Sequence, residues 1–232
     1  MTSTDKELEV LHEKLQKHLY EQSKNWKSFI FAQKKGFYQG FDRIKIDGCR
    51  STEKRFRDYD IEKVLSKEVQ ALDIGCNSGF FTLKIAEYVK NIDGVEINPY
   101  MVSIANDVKK FLVNSNANFY TTSFEKFSTK KKYNMVFSLA NDETIDGNTK
   151  FTFVEYISKI HELLENNGML IFESQAADAY EENRFVPKRE QIKKIFTIIE
   201  DRVIFSEYPV NVPKRIFLIL KKKMLKENKR MD

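Results

Sequence analysis

Cysteine, proline and glycine are scarce in this 232-residue chain, at 2, 4 and 8 copies. So few prolines and glycines leave no flexible linker, low-complexity tract or internal repeat, which argues against an array of separate modules. Two cysteines cannot build a disulfide framework, and Cys49 and Cys76 fall in expected loops, so both are read as free thiols in a reducing compartment. Of the three histidines, His12 and His18 lack a third ligand nearby, and no metal centre is expected. No apolar run approaches the roughly 18 residues of a membrane span, and the charged opening MTSTDKELEV lacks the apolar segment of a secretory signal, so a cytoplasmic protein with no membrane partner is expected. Acidic residues nearly balance basic ones: of a net charge of +5, the tail from Lys221 to Asp232 carries +4. That tail reads first as a solvated end, and otherwise as a contact for phosphates. Hydrophobic residues at 41%, with 19 Phe, suffice for a buried core.

The stretch Val69–Pro99, VQALDIGCNSGFFTLKIAEYVKNIDGVEINP, is the most informative. Val69, Ala71, Leu72 and Ile74 form a short apolar run suited to a strand covered on both faces, and Gly75 and Gly79 supply a turn. Asn77 or Ser78 is expected to cap the next helix, along which Phe81, Ile85 and Val89 recur. Val95-Glu96-Ile97 then forms a second strand, with Glu96 about 20 residues beyond the first glycine, where an acid can grip ribose hydroxyls. The turn reads G-x-x-x-G and lacks the third glycine of a dinucleotide fingerprint, which disfavours NAD. The competing reading is an α/β domain in which this is only a tight turn.

On those residues the segment resembles the first motif of class I S-adenosylmethionine-dependent methyltransferases, with Asp73, Gly75, Gly79 and Glu96 matching position by position. The resemblance implies S-adenosyl-L-methionine as cofactor, leaving as S-adenosyl-L-homocysteine. It sets the acid at Asp73 facing the methionine ammonium, the glycine turn beneath it and the acid at Glu96 on both ribose hydroxyls. The cofactor contacts it implies are Asp73, Gly75, Cys76, Asn77, Gly79, Phe80, Glu96 and Ile97, with Ser123 and Phe124 at the adenine and Leu139 at the end of the fourth strand.

Elsewhere the pattern alternates strands with helices. Leu8, Leu11, Leu15 and Leu19 carry a helical stripe through residues 5 to about 33, and a helix capped by Ser51 or Thr52 precedes the first strand. Pro99 opens a helix bearing Met101, Ile104, Ala105 and Val108; Ala117–Thr121 and Tyr133–Leu139 are the third and fourth strands. Phe153, Ile157, Ile160 and Leu164 mark a helix stopped by Asn166-Asn167-Gly168, with His161 off its apolar face and solvated. Met169–Phe172 is the fifth strand, Pro187 starts another helix, and Ile198–Phe205 and Arg215–Leu220 are closing strands. The expected fold is α/β: a Rossmann-like, seven-stranded, mostly parallel sheet with helices on both faces and an antiparallel strand at its end, plus an N-terminal helical extension. The expected divisions are residues 1–65 (extension and cap), 66–222 (cofactor-binding methyltransferase domain) and 223–232 (basic tail).

Ligands of an open α/β sheet bind beyond the carboxyl ends of its strands. After the fourth strand comes SLANDETIDGN and after the fifth ESQAAD, crowding Asn141, Asp142, Glu143, Asp146 and Glu173 into adjacent strand ends. Asp142, Glu143 and Glu173 are candidate bases and Asn141 a positioning group. A phosphate-like acceptor, already anionic, would need no base. An N-P-P-Y-like box and a Pro-Cys nucleophile are both missing after the fourth strand, so base-amino and cytosine-C5 methylation recede. Gly48, Arg50, Ser51, Thr52 and Arg55 gather guanidinium and hydroxyl groups near one helix start, suiting a carboxylate or phosphate, unless the arginines simply pair with Glu53, Asp58 or Asp60. Tyr38 and Gln39 are candidates to close over the cofactor.

With GCRSTEKR before the glycine motif and SLANDETIDGN and FESQ after it, residues 36–220 are similar to bacterial methyltransferases of surface-carbohydrate modification, including those of capsular phosphoramidate. The resemblance implies O-methylation of a small, anionic metabolite or glycan precursor. A tRNA-modifying methyltransferase, tracking phosphates with the tail and Lys34, Lys35, Arg43 and Lys45, and a non-catalytic cofactor-binding partner subunit remain alternatives.

Overall fold

The computed structural model describes residues 3–28, 36–114, 116–143, 150–176, 178 and 182–224. Asp146, Lys34, Lys35 and the tail beyond residue 224 lie outside the described residues.

The chain begins with α1 (Ser3–Asn25) and a small parallel pair, β1 (Phe37–Gly40) and β2 (Gly48–Ser51), followed by α2 (Thr52–Tyr59). The main sheet is built from β3 (Gln70–Ile74), α3 (Phe80–Ala86), β4 (Asn91–Glu96), α4 (Pro99–Phe111), β5 (Ala117–Thr121), β6 (Tyr133–Leu139), α5 (Phe153–Leu163), β7 (Leu164–Glu173), α6 (Glu182–Ile195), β8 (Phe196–Phe205) and β9 (Lys214–Lys222). Its seven strands run in the order β5-β4-β3-β6-β7-β9-β8, parallel except for β9, which lies antiparallel between β7 and β8. The expected seven-stranded Rossmann-like α/β fold is the fold observed, with one correction: the antiparallel strand, expected at the end of the sheet, lies one strand in, because β9 turns back to pair with β7 and leaves β8 at the edge.

Period-two alternation explains how the sheet fills two layers. Ala71, Met135, Phe137, Ile171 and Phe217 point into one buried cluster with α3 and α4, whereas Leu72, Val136, Leu170, Phe172 and Leu218 point into the other with α5 and α6. Helix α1 packs on α4 and sends Leu11, Leu15 and Leu19 into the first cluster. Strand order reverses direction of growth at β3, whose neighbours are β4 and β6. That switch point opens a crevice at the strands' carboxyl ends.

Ser51 caps α2 as expected, accepting from Lys54 N, and Asn98 caps α4, with Pro99 opening it. Several expectations are corrected. Helix α1 ends at Asn25, and residues 29–35 lie outside the described set. Helix α5 stops at Leu163, and Asn166-Asn167-Gly168 belong to the start of β7, where Asn167 takes φ 64° and the register with β6 shifts. Helix α6 starts before Pro187, which lies exposed in its second turn. The helix starts earlier because Phe185, on that first stretch, is buried against Phe172. His161 is buried rather than solvated: its Nε2 lies 3.0 Å from the Lys223 carbonyl, its ring meets Phe196 edge-on, and burial lowers its pKa. The carbonyl that ends β9 gives that imidazole a partner that helical periodicity could not reveal. Both cysteines are free, and no described helix is long and apolar enough to cross a membrane.

Candidate active site

The crevice at the switch point forms a cleft. One wall is the β3–α3 turn. Gly75 (φ 65°) and Gly79 (φ 72°) both take backbone angles that side chains resist. At Gly75 a Cβ would fall 2.3 Å from Asn141 Oδ1, because the Asn141 amide seals the gap between strand ends, donating to the Ile74 and Leu139 carbonyls. At Gly79 a Cβ would meet Ala105 and Phe119 at 2.6 and 2.7 Å, so this second glycine serves close packing of the turn on α4 and β5.

The expected cap of α3 is corrected. Neither Asn77 nor Ser78 caps it; Gln39, reaching in from β1, accepts from Ser78 Oγ, Phe80 N and Phe81 N at 3.2, 3.0 and 3.4 Å and donates to the Cys76 carbonyl. A side chain from outside the turn thus satisfies the free amides of the helix start.

Two acids line the cleft. Asp73 is buried and accepts from Thr82 Oγ1 at 2.6 Å; burial pushes it up to about 6, against the pull of Thr82 and Arg55. Thr82 escaped sequence reasoning because only its position one turn into α3, facing Asp73, betrays it. Glu96 accepts from Asn77 N at 2.9 Å and Asn98 N at 2.8 Å, which fixes both of its oxygens. Asp73, Gly75, Cys76, Asn77, Glu96, Leu139 and Asn141 line the cleft. Phe80 is sealed against Phe37 and Phe41 instead, Phe124 packs edge-on to Tyr156, Ser123 accepts from Lys126 N, and Ile97 is half-buried beyond β4; none of these four lines the cleft.

Across the cleft stand Tyr38, Gln39 and Arg55. Behind them lies a buried ionic cluster. Arg50 Nη2 is 2.8 Å from Glu173 Oε1, Arg215 Nε is 3.5 Å from the same oxygen, and Arg55 Nη2 is 3.9 Å from Oε2. Tyr59 donates to Oε2 at 2.5 Å, and Arg50 donates to Tyr38 Oη at 3.4 Å. Burial alone would raise Glu173, but Arg50, Arg55 and Tyr59 outweigh it and hold the carboxyl below its ordinary value. The arginines therefore do not pair with the local acids: Lys54 takes Asp58, Lys63 takes Asp60, and Glu53 accepts from Asp42 N. Arg50 itself is 2% exposed and its two terminal nitrogens donate to Glu173, Tyr59 and Tyr38, so those nitrogens are engaged by the protein and not by a ligand. Ser51 and Thr52 serve the start of α2, Ser51 as cap and Thr52 as a sealed first residue, rather than standing free in the cleft.

The acids after β6 are also committed. Lys188 on α6 meets Asp142, Glu143 and Asp178 at 2.6, 2.8 and 2.8 Å, and Arg184 adds a second contact to Glu143. Burial raises Asp142 to about 6 against Lys188. The three acids expected as bases are thus each held in ion pairs, outside the cleft lining.

Residues 65–225 match the methyltransferase domain family. Two curated relatives from Ilyobacter polytropus, malonyl-[acyl-carrier protein] O-methyltransferases 1 and 2, are 30% identical over 120 residues and 33% identical over 122. Each match covers 51% of this chain but only 42% and 44% of the relative, so the chain spans less than half the length of either. In shape, the N-methyltransferase NodS from Bradyrhizobium japonicum in complex with S-adenosyl-L-homocysteine agrees with a TM-score of 0.58 at 16% identity, over 74% of this chain and 87% of NodS. The YcgJ protein from Bacillus subtilis agrees with a TM-score of 0.55 at 12% identity, over 73% and 99%. At such identities the likeness speaks for the fold alone.

Fold and cleft together define a Rossmann-like methyltransferase. The chain belongs to the methyltransferase domain family. The cleft fits the S-adenosyl-L-methionine that the sequence motif implies: Asp73 offers a carboxylate to an ammonium, Glu96 offers one to vicinal hydroxyls, and Asn77 Oδ1 is buried without a hydrogen-bond partner among the described residues.

Proposed function

We propose that this chain transfers a methyl group from S-adenosylmethionine to an oxygen of a small anionic acceptor in the cytoplasm. A metabolite or surface-glycan precursor bearing a carboxylate or phosphate-like group, a phosphoramidate included, is the acceptor class in this reading. The observation that carries it is the cluster at Glu173: three guanidinium groups surround one carboxylate, immediately behind Tyr38 and Arg55 on the cleft wall. Uncompensated positive charge behind a low-dielectric wall attracts an anion. The relatives' names point the same way, since a malonyl group ends in a carboxylate.

When bound, S-adenosylmethionine supplies an activated methyl on a sulfonium. Held by Asp73 and Glu96, it would supply that methyl to an acceptor oxygen, with the sulfur keeping the electron pair of the broken bond. An oxyanion gives up no proton in this exchange, so Asp142, Glu143 and Glu173 can remain in their ion pairs. What the chain contributes is holding and alignment: Asp73 and Glu96 grip the two ends of the cofactor, Asn141 closes the floor, and Tyr38 and Arg55 orient the acceptor. Such alignment is worth on the order of 7–11 kcal/mol.

The test is release of S-adenosylhomocysteine by purified protein against pools of small carboxylates, phosphorylated metabolites, nucleotide sugars and unmodified tRNA, with wild type beside Arg55→Gln. Turnover of a small anion that falls at least tenfold in Arg55→Gln supports the reading. Turnover confined to tRNA, or to neutral acceptors, overturns it.

A further inference from the structure

The N-terminal helix lies outside the part of the chain that matches the methyltransferase family, yet it is bonded to the cofactor site. Gln22, in its last turns, is only 4% exposed, an unusual place for a glutamine. Its Oε1 accepts from Asn98 Nδ2 at 2.6 Å. Asn98 N donates to Glu96 Oε1 at 2.8 Å, while the other Glu96 oxygen is held by Asn77 N in the glycine turn. Both oxygens of the ribose-facing acid are therefore oriented by backbone amides, and one of those amides belongs to a residue whose side chain is pinned by α1.

The rest of α1 is anchored so that this contact has something to brace against. His12 Nε2 donates to the Ile44 carbonyl at 2.6 Å, His18 Nε2 meets Asp107 Oδ2 at 2.9 Å on α4, and Leu11, Leu15 and Leu19 are buried on the same side. One turn beyond Gln22, Trp26 N donates to the Gln22 carbonyl, and the buried Trp26 Nε1 has no hydrogen-bond partner among the described residues.

We propose that α1 is a working part of the cofactor site, with Gln22 as a positioning residue that sets the Glu96–Asn98 corner, so that helix docking and cofactor binding strengthen each other. Such coupling is reciprocal: whatever the docked helix adds to cofactor affinity, bound cofactor returns to helix docking. The inference does not depend on the acceptor.

The test uses the full chain and S-adenosylhomocysteine. Gln22→Met removes the acceptor while keeping the shape, and Asn98→Ser removes the Nδ2 group and its reach to Gln22, while its shorter hydroxyl can still take the Tyr100 amide that caps α4. Calorimetry should show about 3- to 10-fold weaker binding in each variant, the yield of one buried hydrogen bond. The double variant should bind no more weakly than Asn98→Ser within about twofold, because both changes remove the same bond. Trp26 is the only tryptophan in the chain, so its emission reports on the end of α1 directly; it should change on adding the ligand to wild type and change less in Gln22→Met. Wild-type affinity in Gln22→Met, fully multiplicative losses in the double variant, or tryptophan emission indifferent to a ligand that calorimetry shows bound would each overturn the proposal.

Discussion

Arg50 and Glu173 lie 123 positions apart in the chain and meet at 2.8 Å, both almost sealed from water. This pair ties the small β1–β2 unit to the end of β7, and with Arg55, Arg215 and Tyr59 it makes the back of the candidate acceptor wall. A buried ion pair is expensive to form but more expensive to halve, since removing one partner strands the other.

Glu173→Gln should therefore cost stability, about 3 kcal/mol or more in urea unfolding, because three arginines would keep one neutral amide among them. If Glu173 orders arginines and removes no proton, the pH profile of kcat should keep its shape in this variant. Loss of an acidic limb from that profile would make Glu173 the base instead.

Asp73 predicts how cofactor affinity follows pH. In the free protein its carboxyl titrates at about 6 because it is buried. A bound ammonium favours the ionised form, so the bound-state value is lower and binding below about pH 6 releases a proton. Affinity for S-adenosylhomocysteine should rise as pH increases from 5 to 7, by up to about tenfold. Calorimetry across that range checks it, and Asp73→Asn should bind weakly with a flat profile.

Lys188→Met leaves buried Asp142 without its cation and Asp178 with Arg184 alone, 3.5 Å away. The loss of stability at pH 7 should be on the order of 3 kcal/mol. It should shrink towards pH 5: Asp142 already titrates at about 6 beside Lys188, and without that cation it holds its proton to still higher pH. Equal losses at both pH values would contradict this.

Gly79→Ala combines a positive φ with a Cβ 2.6 Å from Ala105 and 2.7 Å from Phe119. A destabilisation of about 2 kcal/mol or more is expected by thermal or chemical unfolding, along with weaker cofactor binding as the turn shifts. Little change in either would mean that the β3–α3 turn yields more readily than its packing indicates.

Much of this protein can be read from local patterns. The buried run before Gly75, the two glycines with positive φ, Pro99 opening a helix behind Asn98, and Glu96 at a strand end all depend on periodicity or backbone angles within a few residues, and those constraints leave marks in the sequence itself. A mostly parallel sheet followed from the same alternation of strand and helix, whereas the order of its strands came only with the tertiary structure. Tertiary structure alone decided what the polar residues do. Gln39 caps a helix 41 positions away, Glu173 collects three arginines, Lys188 gathers the acids after β6, and His161 finds a carbonyl at the end of β9. An arginine or a carboxylate carries the same chemistry whether it meets a ligand or an ion-pair partner. Which one it meets is set by long-range packing, where contacts between residues far apart in the chain leave no periodic trace.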